Sequence, residues 1–163
     1  MNSIRLISRV LFFFVACAVA QNDKGVLGQL GEFAIGSSPN DLKVLISTDC
    51  VGSAFYLSDC SGVGRNGIRY AFFDGGLSRV SLKQSEVNGT VRLPGDVLFG
   101  ETIDVAAAKL KKLGVSLDRD EVNGRIVYSS DFVLTSSHGI AYSIELLSDA
   151  YGRLVEVIER TDF

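Results

Sequence analysis

Gly62-Val63-Gly64-Arg65-Asn66-Gly67 has the GxGxxG spacing with which dinucleotide sites let a pyrophosphate approach the start of a helix. The next residues, Ile68-Arg69-Tyr70-Ala71-Phe72-Phe73, are strand-like, so phosphates would meet no helix N-terminus there, and the string reads as a flexible hairpin loop. Asp118-Arg119-Asp120-Glu121-Val122-Asn123-Gly124 gathers acids as a calcium loop does, but its third ligand position falls on Val122 and its glycine comes one residue late. It reads as a solvated turn, with a weak surface calcium site as the alternative. His138 is the only histidine and sits in the small polar loop Thr135-Ser136-Ser137-His138-Gly139, too few imidazoles for a histidine-rich metal site. Serines and aspartates are numerous enough for a Ser-His-Asp arrangement, but no GxSxG nucleophile elbow occurs, and His138 reads as a loop-surface residue. Asp118 and Asp120 lack an apolar surrounding that would raise one of their pKa values and read as solvated charge. No cofactor and no metal is expected, and the chain reads as non-enzymatic.

The first 20 residues have the parts of an export signal: Arg5 and Arg9, the apolar stretch Val10 to Ala16, and small residues in Ala18-Val19-Ala20, with cleavage leaving Gln21 as the new terminus. The uncharged run from Val10 to Ala20 is 11 residues, well short of the roughly 20 that span a bilayer. A second reading makes Cys17 a lipid-attachment site that tethers the domain to a membrane surface. The leader carries two arginines and no acid, so the remainder is more acidic than the whole chain's net charge of −3, which argues against nucleic acid and anionic membrane surfaces as partners. Beyond the leader only Cys50 and Cys60 remain, an even pair suited to an oxidising compartment, and a disulfide is expected. Closing a loop of about ten residues would remove unfolded-chain entropy worth on the order of 3 kcal/mol. Asn88-Gly89-Thr90 fits a glycosylation sequon and equally a turn.

The elements that position these residues come in an order that repeats. Residues 21–32 are polar and glycine-containing and read as a flexible lead-in. Gly36-Ser37-Ser38-Pro39-Asn40-Asp41 has the cap, proline and acid of a helix start, with Leu42, Val44, Leu45 and Ile46 as an apolar side ending near Cys50. Strands are expected at Ala54 to Leu57, Ile68 to Phe73 and Leu77 to Leu82, the last two joined by the turn Asp74-Gly75-Gly76. Gly100 to Asp104 opens a second helix through Val105 to Leu113, closed by Gly114, and strands come after it at Ile126 to Tyr128, Phe132 to Leu134, Ile140 to Leu146 and Leu154 to Ile158. Gly36 pairs with Gly100, Gly67-Ile68-Arg69-Tyr70 with Gly139-Ile140-Ala141-Tyr142, and Gly75 with Gly152. The expected fold is α+β: two tandem helix-plus-antiparallel-meander repeats, residues 33–82 and 98–163, joined by a linker at 83–97 marked by Pro94-Gly95-Asp96, with the helices packed on one face of the sheet.

Along Ile140, Tyr142, Ile144 and Leu146 large apolar residues alternate with Ala141, Ser143 and Glu145, the pattern of a half-buried strand. The face away from the helices is then open and carries Arg69, Ser143 and Glu145, with Arg79 and Glu156 as further candidates, a platform for a partner. From Gly139 to Gly152 the second hairpin has five more residues than Gly67 to Gly75, and the excess around Ser148-Asp149-Ala150-Tyr151 offers a tyrosine, a large contact surface with few rotors to freeze. Asp149, Tyr151, Arg69 and Glu145 are therefore the candidate binding residues.

Phe33 to Leu45 (FAIGSSPNDLKVL), followed by a meander with a Gly-Leu-x-x-Val strand at Gly76 to Val80, resembles the small αβ repeat of β-lactamase inhibitory proteins, which related outer-membrane-assembly lipoproteins share. The resemblance implies two tandem repeats whose sheet presents a concave face to a target enzyme. Only the first repeat here has a cysteine pair, and there is no tryptophan among the candidate contact residues. The expected function is an exported inhibitor or immunity protein acting on a secreted or periplasmic hydrolase through its sheet face and hairpin loops. The alternative is a structural or assembly component of the cell envelope, anchored through Cys17.

Overall fold

A computed structural model describes residues 27, 33–42, 45–48, 60–64, 67–87, 91–131 and 134–161. The expected export signal, Cys17, Cys50, the strand expected at Ala54 to Leu57 and Asn88-Gly89-Thr90 lie outside them. Short alternating or β-branched runs separated by glycine turns dictate the architecture. β1 (Leu45–Thr48), β2 (Cys60–Gly64), β3 (Arg69–Phe73), β4 (Gly76–Lys83), β7 (Asp118–Val122), β8 (Arg125–Ser129), β9 (Leu134–Thr135), β10 (Ala141–Ser148) and β11 (Leu154–Arg160) form one nine-stranded sheet, and β5 (Arg92–Leu93) pairs with β6 (Val97–Leu98) separately. The order across the large sheet is β1-β2-β3-β4-β11-β10-β8-β7, with β9 pairing the start of β10, and every pairing is antiparallel. Two meanders thus meet through β4 and β11, with Arg79 opposite Arg160 at one end and Lys83 opposite Glu156 at the other.

This corrects the expectation of two tandem helix-plus-meander repeats: the fold is mixed α+β, with one long antiparallel sheet and a single α-helix described over its full span, Ile103–Lys112. The helix expected after Asp41 is not formed. Ser38 does cap a turn there, its hydroxyl accepting from Asn40 N at 3.3 Å, but the turn is a three-residue 3-10 helix, Pro39–Asp41, and the chain then enters β1. The start signals are of the right kind, but Leu45-Ile46-Ser47-Thr48 beyond them is rich in β-branched residues and lacks the polar stripe of an amphipathic helix, so pairing with β2 wins. The sequence correspondences survive as turn geometry alone. Gly36 N donates to Leu77 O and Leu77 N to Ser37 O, while Gly100 N donates to Leu154 O and Leu154 N to Glu101 O, four bonds of 2.8–2.9 Å. The surviving helix has what the first lacks: Ile103, Ala106, Ala107 and Leu110 form one buried stripe at helical spacing, and Val115 N returns to Leu110 O after Gly114 to close its end.

Asp118–Val122, expected as a solvated turn, is instead the edge strand β7, paired residue by residue with β8 around the turn Asn123-Gly124, and all five of its side chains are exposed. Its charges suit an edge that must not recruit another strand. Gly62 and Gly64, expected in a loop, belong to β2, and the strand after Gly67 leaves no helix start for a phosphate. The residues expected as a linker carry the β5–β6 hairpin, whose Leu93 and Val97 are buried in the core. The core lies on one face of the sheet, where Tyr70, Phe72, Val80, Leu82, Ile144, Leu146 and Val157 meet the helix stripe, and Phe33 packs edge-on against Tyr70 with centroids 5.3 Å apart. Leu27, within the expected lead-in, is fully buried, and its N–H donates to Glu159 Oε1 at 3.0 Å.

The expected Cys50–Cys60 disulfide is likewise not part of the described fold: no disulfide joins two described residues, since Cys60 is the only cysteine among them. Cys60 is buried and does not stand as a free thiol, its sulfur being disulfide-bonded, but no described residue supplies the partner.

Candidate functional site

Strand register assigns side chains to the second face of the sheet, because residues directly opposite one another in neighbouring strands point the same way. Arg69, Ser81, Ile158, Glu145 and Ser129 form one row across β3, β4, β11, β10 and β8. Ala71, Arg79, Arg160 and Ser143 form the next, and Lys83, Glu156, Leu147 and Val127 a third. All five residues that alternation placed on the open face, Arg69, Arg79, Ser143, Glu145 and Glu156, therefore share it. The long charged residues are exposed or half-buried, while Ser81, Ser143 and Ile158 between them are buried.

Arg69 and Glu145 do not meet: two strands separate them, about 14 Å at ~4.8 Å per strand, and each has its own counter-ion. Arg69 holds Glu86 through two contacts, Nε to Oε2 at 2.9 Å and Nη2 to Oε1 at 2.6 Å. The hydrogen bond to Glu86, then its charge, lift the guanidinium pKa above its ordinary range. Glu145 accepts from Arg160 Nη2 at 2.6 Å, and Lys83 stands 3.8 Å from Glu156. Sequence reasoning missed Glu86, Arg160 and Lys83 as partners. Glu156, Ile158 and Arg160 alternate in β11 as open-face residues should, which was the available signal; Glu86 sits on a 3-10 turn, Gln84–Glu86, for which the sequence offered none.

At the end of the sheet beyond Lys83 and Glu156, the β10–β11 turn holds the other two candidates. Asp149 Oδ1 accepts from Tyr151 N and Arg153 N, both at 2.9 Å, while Asp149 N donates to Arg153 O and Gly152 N to Asp149 O. An aspartate closing its own turn in this way is what its short acceptor side chain favours. The base of the turn is fixed as well: the buried Ser148 hydroxyl accepts from Ile126 N at 2.9 Å, and Gly152 O accepts from Ile103 N at the helix start. On this pinned backbone the Tyr151 side chain stands out, the residue 87% exposed.

The opposite end of the face carries a groove of about 370 Å³ lined by Phe73, Ser78, Arg79, Arg160 and Thr161 together with Cys60, Ala71 and Phe72. Phe73 is 47% exposed beside the Asp74-Gly75 turn. The fold also brings together a serine and the histidine, Ser37 Oγ lying 3.4 Å from His138 Nε2. Ser37 is 7% exposed, its Oγ also accepts from Ala34 N, and no carboxylate among the described residues orients His138. That contact joins two loops and lacks the third member and the open nucleophile of a hydrolytic triad.

Among the described residues no group of three His, Cys, Asp or Glu side chains is placed to hold a metal ion, and no helix is long and apolar enough to cross a membrane. Comparison with protein families, with curated proteins and with solved structures finds no match for this chain.

Proposed function

We propose that this chain is an exported, non-enzymatic protein-binding domain that grips a secreted or periplasmic enzyme through its open sheet face and the β10–β11 turn, in the manner of an inhibitor or immunity protein. One observation carries the reading: Tyr151, 87% exposed, projects from a turn whose backbone is held by the carboxylate and the main chain of Asp149. A large exposed aromatic on a pinned backbone is costly to leave in water and loses little entropy on docking, the signature of an interface anchor. The export signal at residues 1–20 supports the compartment, and the excess of acids over bases argues against nucleic acid as the partner.

The test is affinity capture from an envelope or culture extract, followed by binding measurements on whatever hydrolase is recovered in stoichiometric amount. Tyr151→Ala should weaken that complex by about 1–3 kcal/mol and leave the melting temperature unchanged. Full affinity in the variant would remove the anchor, and recovery of membrane-assembly proteins alone, with a lipidated Cys17 by intact mass, would favour the envelope-component reading instead.

A further inference from the structure

Arg79 and Arg160 stand directly opposite each other in β4 and β11, on the same face and in the same groove. Like charges in that relation repel and destabilise a sheet. Every other open-face cation described above has an acid: Arg69 has Glu86, Lys83 has Glu156 and Arg160 has Glu145. Arg79 makes no ion pair and no side-chain hydrogen bond among the described residues. Its row contains Ala71, Arg160 and Ser143 and no acid, and the Ser143 hydroxyl, in a residue 2% exposed, has no hydrogen-bond partner among them. The row therefore holds two guanidinia of which only Arg160 has an acceptor among the described residues, and it runs beside the half-exposed ring of Phe73.

We infer that this groove receives an acidic segment of a protein partner, a carboxylate bridging the Arg79 and Arg160 guanidinia while a neighbouring apolar side chain lies on Phe73. Two planar guanidinia fit a carboxylate's two oxygens, and a bound carboxylate turns the cross-strand repulsion into attraction. Arg160 need not leave Glu145, since a guanidinium has five N–H donors. The inference rests on the reading of the chain as a protein-binding domain and adds the chemistry of what is bound. The groove and Tyr151 lie at opposite ends of β11, about 20 Å apart at ~3.4 Å per residue, so one can fail while the other holds.

A phage-displayed library of random dodecapeptides, panned on the purified chain, tests this. Enriched peptides should carry Asp or Glu next to an apolar residue. A synthetic copy of the strongest should bind at least 10-fold more weakly when its acid becomes the amide, and at least 10-fold more weakly to Arg79→Glu, with Arg79→Gln between. Arg79 is exposed, so a circular-dichroism melt matching the parent's should show that these variants fold. Enrichment without acids, no enrichment, or equal binding to Arg79→Glu would overturn the inference. Peptides lost with Tyr151→Ala yet indifferent to Arg79→Glu would overturn it while leaving the binding function standing. Acid-dependent peptide binding in a chain that captures no protein partner would sink the proposed function and keep the groove.

Discussion

Replacing Gly67 and Gly139 by alanine, one at a time, separates backbone strain from steric clash within a single protein. Both residues have left-handed backbone, φ 77° and 76°, and both close the same turn: Gly67 N donates to Gly64 O and Gly64 N to Ile68 O, as Gly139 N does to Ser136 O and Ser136 N to Ile140 O. An L-residue forced into this region costs about 1–2 kcal/mol, offset by about 0.4–1 kcal/mol for the stiffer unfolded chain. A Cβ on Gly139 meets nothing within 4 Å, so Gly139→Ala should lose only the difference, about 1 kcal/mol or less. A Cβ on Gly67 would lie 2.6 Å from Glu86 O, a backbone atom that cannot swing aside as a side chain can. The 3-10 turn that carries Glu86 must shift, which adds the roughly 1–3 kcal/mol of an overpacked site and disturbs the two-point contact with Arg69. Gly67→Ala should then lose about 2–4 kcal/mol in urea unfolding, and at ~2–4 °C per kcal/mol its melting temperature should fall by roughly 5–15 °C. Equal losses in the two variants, or a larger loss at Gly139, would refute the reasoning.

Tyr128 donates its hydroxyl to Asp104 Oδ1 at 2.8 Å, and burial first, then that bond, push its pKa above the ordinary 10.0. A raised pKa means that the unfolded chain loses this proton first, so the contribution is complete below pH 10.0 and declines as pH climbs through the folded value. The difference between parent and Tyr128→Phe in tyrosinate absorbance at about 295 nm should titrate above the ordinary range; titration at or below it would contradict the burial. Asp149→Ala removes the acceptor of two turn N–H groups and should cost about 0.5–1.5 kcal/mol in unfolding; it should also weaken the partner complex although Tyr151 remains, which an interface indifferent to pre-organisation would not show. Tyr151→Ala and Arg79→Glu, about 20 Å apart, should have additive effects on partner affinity within ~0.5 kcal/mol, and strong coupling would place them in one contact.

Period-two alternation made the second half legible. Ile140, Tyr142, Ile144 and Leu146 announce which face of β10 is covered, and once that face is known the residues between them, and their cross-strand neighbours in β11, are placed by register. The tyrosine tip was legible for a different reason, an insertion of turn chemistry with one large side chain. What misled was the pairing of local signals with a global template. Ser38-Pro39-Asn40-Asp41 signals a helix start as well as Thr102-Ile103-Asp104 does, and only the residues beyond each start decide between them: Val105 to Lys112 supplies alanines and lysines, Leu45 to Thr48 supplies β-branched residues. Asp118–Val122 failed in the opposite direction, since five exposed, mostly charged residues carry no strand signal of their own and β7 exists because β8 supplies its hydrogen bonds. Glu159 shows the remaining gap. An acid that alternation assigns to the covered face looks like an error in the pattern until Leu27, 132 positions away, is seen donating its N–H to it.

Under the proposed function, the rows set by strand register favour a charged partner over a hydrophobic one. Its long side chains are mostly arginine, lysine and glutamate, and an exposed ion pair contributes about 0–1 kcal/mol to folding, so little stability would be lost by rearranging them at an interface. A face built for packing against another sheet would present Val, Ile and Leu throughout these rows; here Ala71, Val127, Leu147 and Ile158 are the apolar members, outnumbered by charged and hydroxyl side chains, and Ile158 is already buried. Under that function, affinity on such a surface would come from its ends, where Tyr151 offers apolar area and Arg79 a charge without an ion pair among the described residues, while the ion pairs between them would reject partners whose charges do not alternate in step. Raising the salt concentration should therefore weaken the Arg79 contact and spare the Tyr151 contact. A complex whose affinity falls with salt in the parent but barely changes in Arg79→Glu would show that division of labour directly, and an equal salt response in both would show that the charge complementarity lies elsewhere on the face.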